Sequence, residues 1–181
     1  MQIRTEEKKH ALCVLGAECA ACRVLYPVLE GKEKISAFYA EMCENLLSFF
    51  RGEAQKKAEA FKALPRREKR GFAPLRMNMF FTVTYTDEKI ISISREYVLR
   101  EGSHLLCYRK SGEIWCAERE ILLPARQFFP HKMWKIAEKN EFYFDGEAVL
   151  VENFFPEAVR VDGKRTRLCD YVRETRFGNE K

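Results

Sequence analysis

The chain has 181 residues, of which 46% are hydrophobic, 33% charged and 13% aromatic, and its formal net charge is +5. The apolar content excludes a disordered chain, and nine Gly with six Pro exclude a collagen-like or linker-rich sequence. The length fits one domain, or at most two small ones, and a chain of this size needs no metal or disulfide staple to fold.

The first 30 residues are predicted to form two strands after a frayed leader. Residues 1–9 are polar, whereas Ala11–Ala17 and Cys22–Leu29 are apolar and typical of strands. The run Ala11–Ala17 is much shorter than the roughly 20 residues of a membrane-spanning helix. Glu6 and Glu7 are unlike the basic start of a signal peptide. We therefore expect no membrane span, and a cytoplasmic protein or a secreted one trimmed of its leader.

The clearest helix is predicted from Glu33 to Phe50, because its apolar residues recur at i, i+3, i+4 and i+7 and so share one face. These residues are Ile35, Phe38, Tyr39, Met42, Leu46, Phe49 and Phe50. Gly52 is a natural C-terminal cap. A second, more polar helix is predicted over Glu53–Leu64, and Pro65 ends it.

The positive charge is concentrated in one segment, residues 62–76, which has six basic residues and one acidic residue. The basic residues are Lys62, Arg66, Arg67, Lys69, Arg70 and Arg76. The rest of the chain has equal numbers of basic and acidic residues. We call residues 65–76 the basic connector and predict a loop, because Pro65 and Pro74 bracket its centre. Such a loop is either a solvated linker or a contact to phosphates or acidic lipid through Arg66, Arg67, Lys69 and Arg70.

After Pro74 the apolar period changes from 3.6 to 2, which predicts strands over Met79–Thr86 and Ile90–Arg100. A three-residue loop, Asp87–Lys89, places Val83 opposite Ile93. We prefer this register to that of a two-residue loop because it matches the apolar pattern.

The Ser-Gly dipeptide at 111–112 predicts a further hairpin. A two-residue turn there sets Tyr108 opposite Trp115 and Cys107 opposite Cys116. The cysteines then occupy a non-hydrogen-bonded pair, where the strands approach most closely, so they are either a disulfide or two paired reduced thiols.

The C-terminal third is predicted to contain short helical pieces and hairpins. Leu122–Phe129 and Lys132–Glu138 are the helical pieces, split by Pro130. Glu141–Phe144 and Ala148–Phe154 form a hairpin around an Asp-Gly dipeptide, and a second Asp-Gly at 162–163 marks a last turn. Helices followed by hairpins indicate a single α+β domain over residues 1–181, an antiparallel sheet with one long amphipathic helix packed on it.

Seven cysteines, dispersed and odd in number, indicate reduced thiols. Cys19-Ala20-Ala21-Cys22 has the spacing of a redox motif or of half a zinc site, but the sequence offers no second close pair of ligands. In a strand, residues i and i+3 point to opposite faces, so we interpret both cysteines as structural. By the same reasoning His104, three residues before Cys107, is a structural or turn-capping residue. We predict no catalytic residue, metal or cofactor.

The order of these motifs resembles a known family. A strand ends in Leu25-Tyr26-Pro27-Val28-Leu29-Glu30-Gly31 and a long helix follows it. Next come Phe81-Thr82-Val83-Thr84-Tyr85, Ile90-Ile91-Ser92-Ile93, Gly102-Ser103-His104, Leu123-Pro124-Ala125-Arg126-Gln127-Phe128-Phe129, Glu141-Phe142-Tyr143-Phe144 and Val149-Leu150-Val151. Over roughly residues 20–160 this is similar to the domain-of-unknown-function family that includes the extracellular lysozyme-sensing domain of the anti-sigma factor RsiV. The resemblance implies a fold and a binding role, and it carries no partner-binding residue onto this chain.

Three functions remain open at this point. The first is a non-catalytic binding or sensing domain for a protein or small ligand, with Tyr108 and Trp115 on the rim of its binding surface. The second is a nucleic-acid or anionic-surface binder that acts through residues 62–76. The third is a thiol-based redox protein, which needs an exposed cysteine of low pKa.

Overall fold

A computed structural model describes residues 1–123 and, farther along the chain, the backbone of four short strands. The strands are β1 (Ile3–Val14), β2 (Ala17–Leu29), β3 (Leu75–Thr86), β4 (Ile90–Glu101), β5 (His104–Cys116), β6 (Ile121–Leu122), β7 (Phe142–Phe144), β8 (Glu147–Val149), β9 (Ala158–Val161) and β10 (Lys164–Arg167). The α-helix α1 is Glu33–Ala63, and a 3-10 helix covers Glu68–Gly71.

The chain forms two compact units. Unit 1 comprises Met1–Phe81 and Glu96–Arg109, and unit 2 comprises Thr82–Arg95 and Lys110–Lys181. Strands β3, β4 and β5 each contribute residues to both units. The single domain expected from the sequence stays a prediction.

A six-stranded sheet has the order β1-β2-β3-β4-β5-β6, and α1 packs on it against β1 and β2. The predicted α+β fold, a mostly antiparallel sheet with one long helix packed on it, is confirmed. One pair differs from the prediction, because β2 and β3 run parallel. Helix α1 connects these two strands, and a helical crossover returns the chain to the same end of the sheet.

Strand β1 begins at Ile3, so the expectation of a frayed leader is wrong from that residue onward. From Lys8 to Val14 its even-numbered residues are half-buried, and their odd-numbered neighbours are exposed. The His10 ring lies 6.3 Å from the ring of Phe50, edge to face, and Lys8 pairs with Glu44 of the helix. This polar segment forms a regular strand because its charged and aromatic side chains contact residues of α1.

Helix α1 runs without interruption from Glu33 to Ala63, so the prediction of two helices capped at Gly52 is wrong. The buried stripe continues past that glycine: Ile35, Tyr39, Cys43, Leu47, Phe50, Ala54, Ala58 and Phe61. Beyond Phe50 the stripe consists mostly of alanines, whose small side chains are buried like the larger ones before them. Pro65 ends the helix as predicted, and Leu64 before it is extended, the conformation that a residue preceding proline prefers.

The chain turns at Gly102-Ser103 and not at residues 111–112, through which β5 continues. The predicted hairpin is therefore wrong. Two-residue hairpin turns require a positive φ at their first central residue, which Gly adopts readily and Ser does not. Gly102 has a φ of 58°, and its N–H donates to the carbonyl oxygen of Pro74 at 2.8 Å.

The loop Asp87–Lys89 separates β3 from β4, as predicted. The hydroxyl oxygens of Thr84 and Ser92 lie 2.8 Å apart, so these residues face each other. This contact belongs to the preferred register, in which Val83 lies opposite Ile93.

In the C-terminal third, the strands on either side of each Asp-Gly dipeptide pair antiparallel, as a hairpin requires. Phe142 of β7 lies opposite Val149 of β8, and Val161 of β9 lies opposite Lys164 of β10. Leu122 was predicted to be helical but pairs with Trp115 as part of β6, so that prediction is wrong at its first residue. Residues 124–129, Lys132–Glu138 and the hairpin beyond Val149 lie outside the described residues.

Candidate functional site

The basic connector, which was predicted to be a loop, contains a short 3-10 helix, Glu68–Gly71. The carbonyl oxygen of Pro65 accepts hydrogen bonds from the N–H groups of Glu68 (3.0 Å) and Lys69 (3.2 Å), which start the 3-10 helix. After it, the ring of Phe72 packs against buried Phe61 with 4.8 Å between centroids. The connector is therefore fixed at both ends to the body of unit 1.

Two of the six cations in residues 62–76 have partners within the chain. Lys69 Nζ lies 5.2 Å from the centroid of the Phe61 ring, and Arg76 binds Glu18. The other four are exposed and make no ion pair with any residue of the described chain: Lys62, Arg66, Arg67 and Arg70. Of the four residues predicted to contact anions, the structure thus leaves three pointing to solvent.

The structure separates the four residues that were predicted to pair across a hairpin. Cys107 and Cys116 lie nine positions apart on the single strand β5, and neither is in a disulfide. The predicted disulfide or thiol pair, which required a turn between them, is therefore wrong. Tyr108 is 53% exposed, but Trp115 is only 4% exposed and so does not line an accessible rim.

Cys19 and Cys22 are both buried, which corrects the expectation that they face opposite sides of a strand. Pairing between β1 and β2 shifts at Leu12/Cys13, where Cys19 is the extra residue of a β-bulge. A bulge reverses the alternation of the residues that follow it, so Cys19 packs against Ala58 and Phe61 of α1. Burial raises the pKa of the Cys22 thiol and of Cys43, the opposite of what a reactive thiolate needs. No metal-binding cluster occurs within the part of the chain that the structure describes.

The face of β1, β2 and β3 opposite α1, which we call the open face, carries a group of cations that the sequence did not reveal. Ala11 pairs with Ala21 across the antiparallel β1–β2 ladder, and Ala21 lies beside Arg76 on the parallel strand β3. Two residues along the same face, Lys9 pairs with Arg23. The Lys9, Arg23 and Arg76 side chains are 65%, 50% and 56% exposed, so this face is open to solvent.

Large side chains surround the two small ones and leave a depression of about 210 Å³. Asn78, which lies beside Arg23 in the β2–β3 ladder, also lines the depression, as do His10 and Cys22. We call the lining residues whose side chains belong to the open face the cradle: Lys9, Arg23, Arg76 and Asn78 around Ala11 and Ala21.

Two carboxylates border the cradle and hold its cations in place. Glu7 accepts hydrogen bonds from Lys9 Nζ (2.9 Å) and from Arg23 Nε. These bonds, that from Lys9 first, lower the pKa of Glu7. Glu18 Oε1 accepts from Arg76 Nη2 at 2.9 Å and Nε at 3.1 Å. Three cations against two carboxylates leave the group net positive, an arrangement suited to recognising negative charge.

Sequence reasoning missed the cradle because its cations are 14 and 53 positions apart in the chain. One signal was present: Lys9 and Ala11 alternate with half-buried neighbours, and Ala21 and Arg23 alternate with buried ones. This alternation can be recognised at Lys9 only if residues 3–9 are assigned to a strand.

No protein-family model matches the sequence, and no curated protein matches it either. The structure is similar to that of a DUF3298-family protein of Bacteroides fragilis NCTC 9343, with a TM-score of 0.53 at 9% identity over 77% of this chain. A DUF3298-family protein of Pseudomonas aeruginosa PAO1 gives a TM-score of 0.49 at 13% identity over 76% of this chain.

The chain spans 65% of the length of each of these two proteins. At such identities the likeness shows the fold alone. It supports the expected resemblance at the level of a domain of unknown function and does not single out the lysozyme-sensing member. No helix among the described residues is both long enough and apolar enough to cross a membrane.

The structural likeness shows that the fold is that of the DUF3298-family structure from Bacteroides fragilis.

Proposed function

We propose that the chain is a non-catalytic binding domain and that its partner contacts the open face. The observation that supports this is the cradle, in which exposed cations and an amide are gathered around two alanines. On the other face of the same strands, Val24 and Met77 are buried, so that face serves the core.

The ionisable groups of the open face suit charge recognition better than proton transfer. General acid–base catalysis needs a group whose pKa lies near the working pH. The pKa of Glu7 is instead lowered by Lys9 and Arg23, so this carboxylate stays ionised at neutral pH. The resemblance to sensor domains of the RsiV type also supports a binding role, with a protein or a small molecule as ligand.

Screening a panel of small acids, nucleotides, glycans and short peptides tests this proposal. We expect at least one ligand to bind with a Kd below about 1 mM and to lose that binding in the double variant Arg23→Ser/Arg76→Ser. The matched control is Arg66→Ser/Arg67→Ser, which removes the same charge from the basic connector. Ligands that bind both variants as well as they bind the wild-type protein would contradict a role for the open face.

A second candidate function, binding to a nucleic acid or another polyanion through residues 62–76, is favoured by one observation. Lys62, Arg66, Arg67 and Arg70 are exposed on an ordered segment and make no ion pair with any described residue. Such a group releases counterions when it binds a polyanion, so affinity falls steeply with salt.

Heparin chromatography separates this candidate from the first. Changing Arg66, Arg67, Lys69 and Arg70 to Ser is expected to abolish salt-dependent retention if the connector binds polyanions. Retention that instead depends on Arg23 and Arg76 would assign polyanion binding to the open face.

A further inference from the structure

We infer that the cradle binds a single oxyanion group, a carboxylate or a phosphate, carried by the ligand of the open face. This inference rests on the proposed function and adds the chemical class of what is bound. It depends on three features of unit 1: the pairing of the strands, the size of the depression and the unused donors of Arg23.

The strand register builds the cradle from two adjacent rows. One row is Ala11, Ala21 and Arg76, and the next is Lys9, Arg23 and Asn78. Because the alanines end at Cβ, an anion above them sits below the tips of the surrounding long side chains. Cations then approach it from the sides, as in charge-assisted hydrogen bonding of oxyanions.

The size of the depression indicates one functional group and not a whole ligand. Its volume of about 210 Å³ is below the roughly 300–1,000 Å³ of pockets that enclose drug-sized molecules. The remainder of the ligand would lie across the exposed sheet face.

Arg23 has donors left for a ligand. Among the described residues its one hydrogen bond runs from Nε to Glu7, so no described residue uses the two terminal nitrogens of the guanidinium fork, which suit a bidentate contact. Arg76, in contrast, uses both Nε and Nη2 on Glu18. Arg23 is therefore the principal anion ligand, and the Asn78 amide is an additional donor.

Glu7 has two opposing effects on an incoming anion. It orients Lys9 and Arg23, but its own negative charge repels the anion and occupies their donors. Neutralising it as Glu7→Gln is expected to strengthen anion binding, while Arg23→Gln is expected to weaken it.

The experiment is a titration of the full chain with inorganic phosphate and, separately, with acetate, at constant ionic strength, followed by amide NMR shifts. We expect saturable shifts at Ala11, Ala21 and Arg23 for at least one of the two anions. The anion that binds more tightly identifies the bound group of the ligand as a phosphate or a carboxylate. Arg23→Gln should weaken binding roughly tenfold, the loss of a charge-assisted contact, and Glu7→Gln should strengthen it about threefold or more.

The chain offers a matched control in the exposed pair Lys56–Glu53 on α1, where Nζ and Oε1 are 2.7 Å apart. Lys56→Gln and Glu53→Gln change the net charge by the same amounts and should leave both anion affinities unchanged. Equal effects of Arg23→Gln and Lys56→Gln would reduce the site to diffuse electrostatics and overturn the inference. A Glu7→Gln variant that binds no better would overturn it as well.

The result also separates this inference from the proposed function. If neither anion shifts the cradle while a ligand from the panel still shifts the open face, the oxyanion site is wrong and the binding role remains. If panel ligands shift only residues outside the open face, the proposed function itself is wrong.

Discussion

At the scale of the single residue, Leu15 adopts a backbone conformation that its side chain resists. It has a φ of 52° in the turn between β1 and β2, is followed by Gly16 with a φ of 80°, and is 83% exposed. Asn-Gly is the preferred pair for two central residues of positive φ. We expect Leu15→Asn to stabilise the protein by about 1 kcal/mol, measured as a higher urea midpoint at unchanged m-value.

Leu15→Ala is the control for that prediction, because it removes the same exposed apolar side chain but lacks the amide group whose local hydrogen bonds let Asn adopt a positive φ. It should give little of the gain. Equal midpoints for the two variants would show that backbone conformation is not the cause.

Tyr26 provides a pH-dependent test of the β1–β2 pairing. Its hydroxyl donates to Glu6 Oε2 at 2.6 Å, and this bond, followed by burial, raises its pKa from 10.0 to about 12. A raised pKa means that the folded state holds the proton more tightly than the unfolded state does. The stabilisation is complete below about pH 10 and is lost as the pH rises towards 12.

The measurement compares the unfolding free energy of the wild-type protein with that of Tyr26→Phe between pH 9 and pH 12. The wild-type advantage should shrink across this window, because only the wild-type protein has this hydroxyl to ionise. A difference in unfolding free energy between the two proteins that stays constant from pH 9 to pH 12 would contradict the assigned hydrogen bond.

Cys19 shows where single-residue prediction from sequence ends. Its spacing to Cys22 predicted that the two side chains face opposite sides of the strand, because regular alternation separates i from i+3. The extra residue at the bulge breaks that alternation, and a bulge depends on pairing with β1. The sequence around Cys19 does not indicate which strand pairs with it, so the bulge cannot be predicted from that sequence.

At the scale of the element, periodicity predicted the helix face only in part and its length incorrectly. Phe49, which was assigned to that face, is 55% exposed, and Leu47 is buried instead. The predicted stripe ends at Phe50, and Gly52 after it resembles a cap. Ala54 and Ala58 continue the same face with less apolar surface, so the pattern is weaker but unbroken. Turn chemistry would have distinguished Gly102-Ser103 from Ser111-Gly112, because only the first places glycine where φ is positive.

Two glycines allow the same substitution to be tested with opposite signs. Gly52 lies exposed inside α1 with open space around its Cβ position, so Gly52→Ala should stabilise the protein by about 0.5–1 kcal/mol. Gly102 has a positive φ, and its added Cβ would lie 3.1 Å from Ala73 Cβ. Gly102→Ala should therefore destabilise the protein by about 1–3 kcal/mol.

Thermal or urea unfolding of the two glycine variants, side by side, measures both effects. A stabilising Gly102→Ala would show that the chain does not turn there. A destabilising Gly52→Ala would mean that α1 is interrupted at that glycine.

At the scale of the whole molecule, the two positive surfaces differ in how far apart their residues lie in the sequence. The basic connector was found from sequence because its cations are consecutive or nearly so. The cradle was not, because Lys9, Arg23 and Arg76 meet only through the antiparallel β1–β2 and parallel β2–β3 ladders. The charge pattern along the sequence therefore reveals the basic connector. It does not reveal the cradle, because Glu7 and Glu18 cancel most of the cradle's charge.

The six thiols of the described residues report which parts of the fold open, and they test the redox alternative at the same time. Cys13 is exposed, Cys107 and Cys116 are half-buried, and three are buried: Cys19, Cys22 and Cys43. At pH 8 we expect alkylation of Cys13 first. The three buried thiols should react at least about 100-fold more slowly, because each requires local or global opening.

Mass spectrometry of the alkylated peptides gives the rate at each site, and Cys13→Ser should remove the fast phase. Urea should accelerate the buried sites together as the fold opens. Fast alkylation of Cys19 or Cys22 in the native protein would require an accessible thiolate at that pair. The thiol-based function would then replace the binding role at β2, because a buried thiol such as Cys22, whose pKa burial raises, does not react in this way.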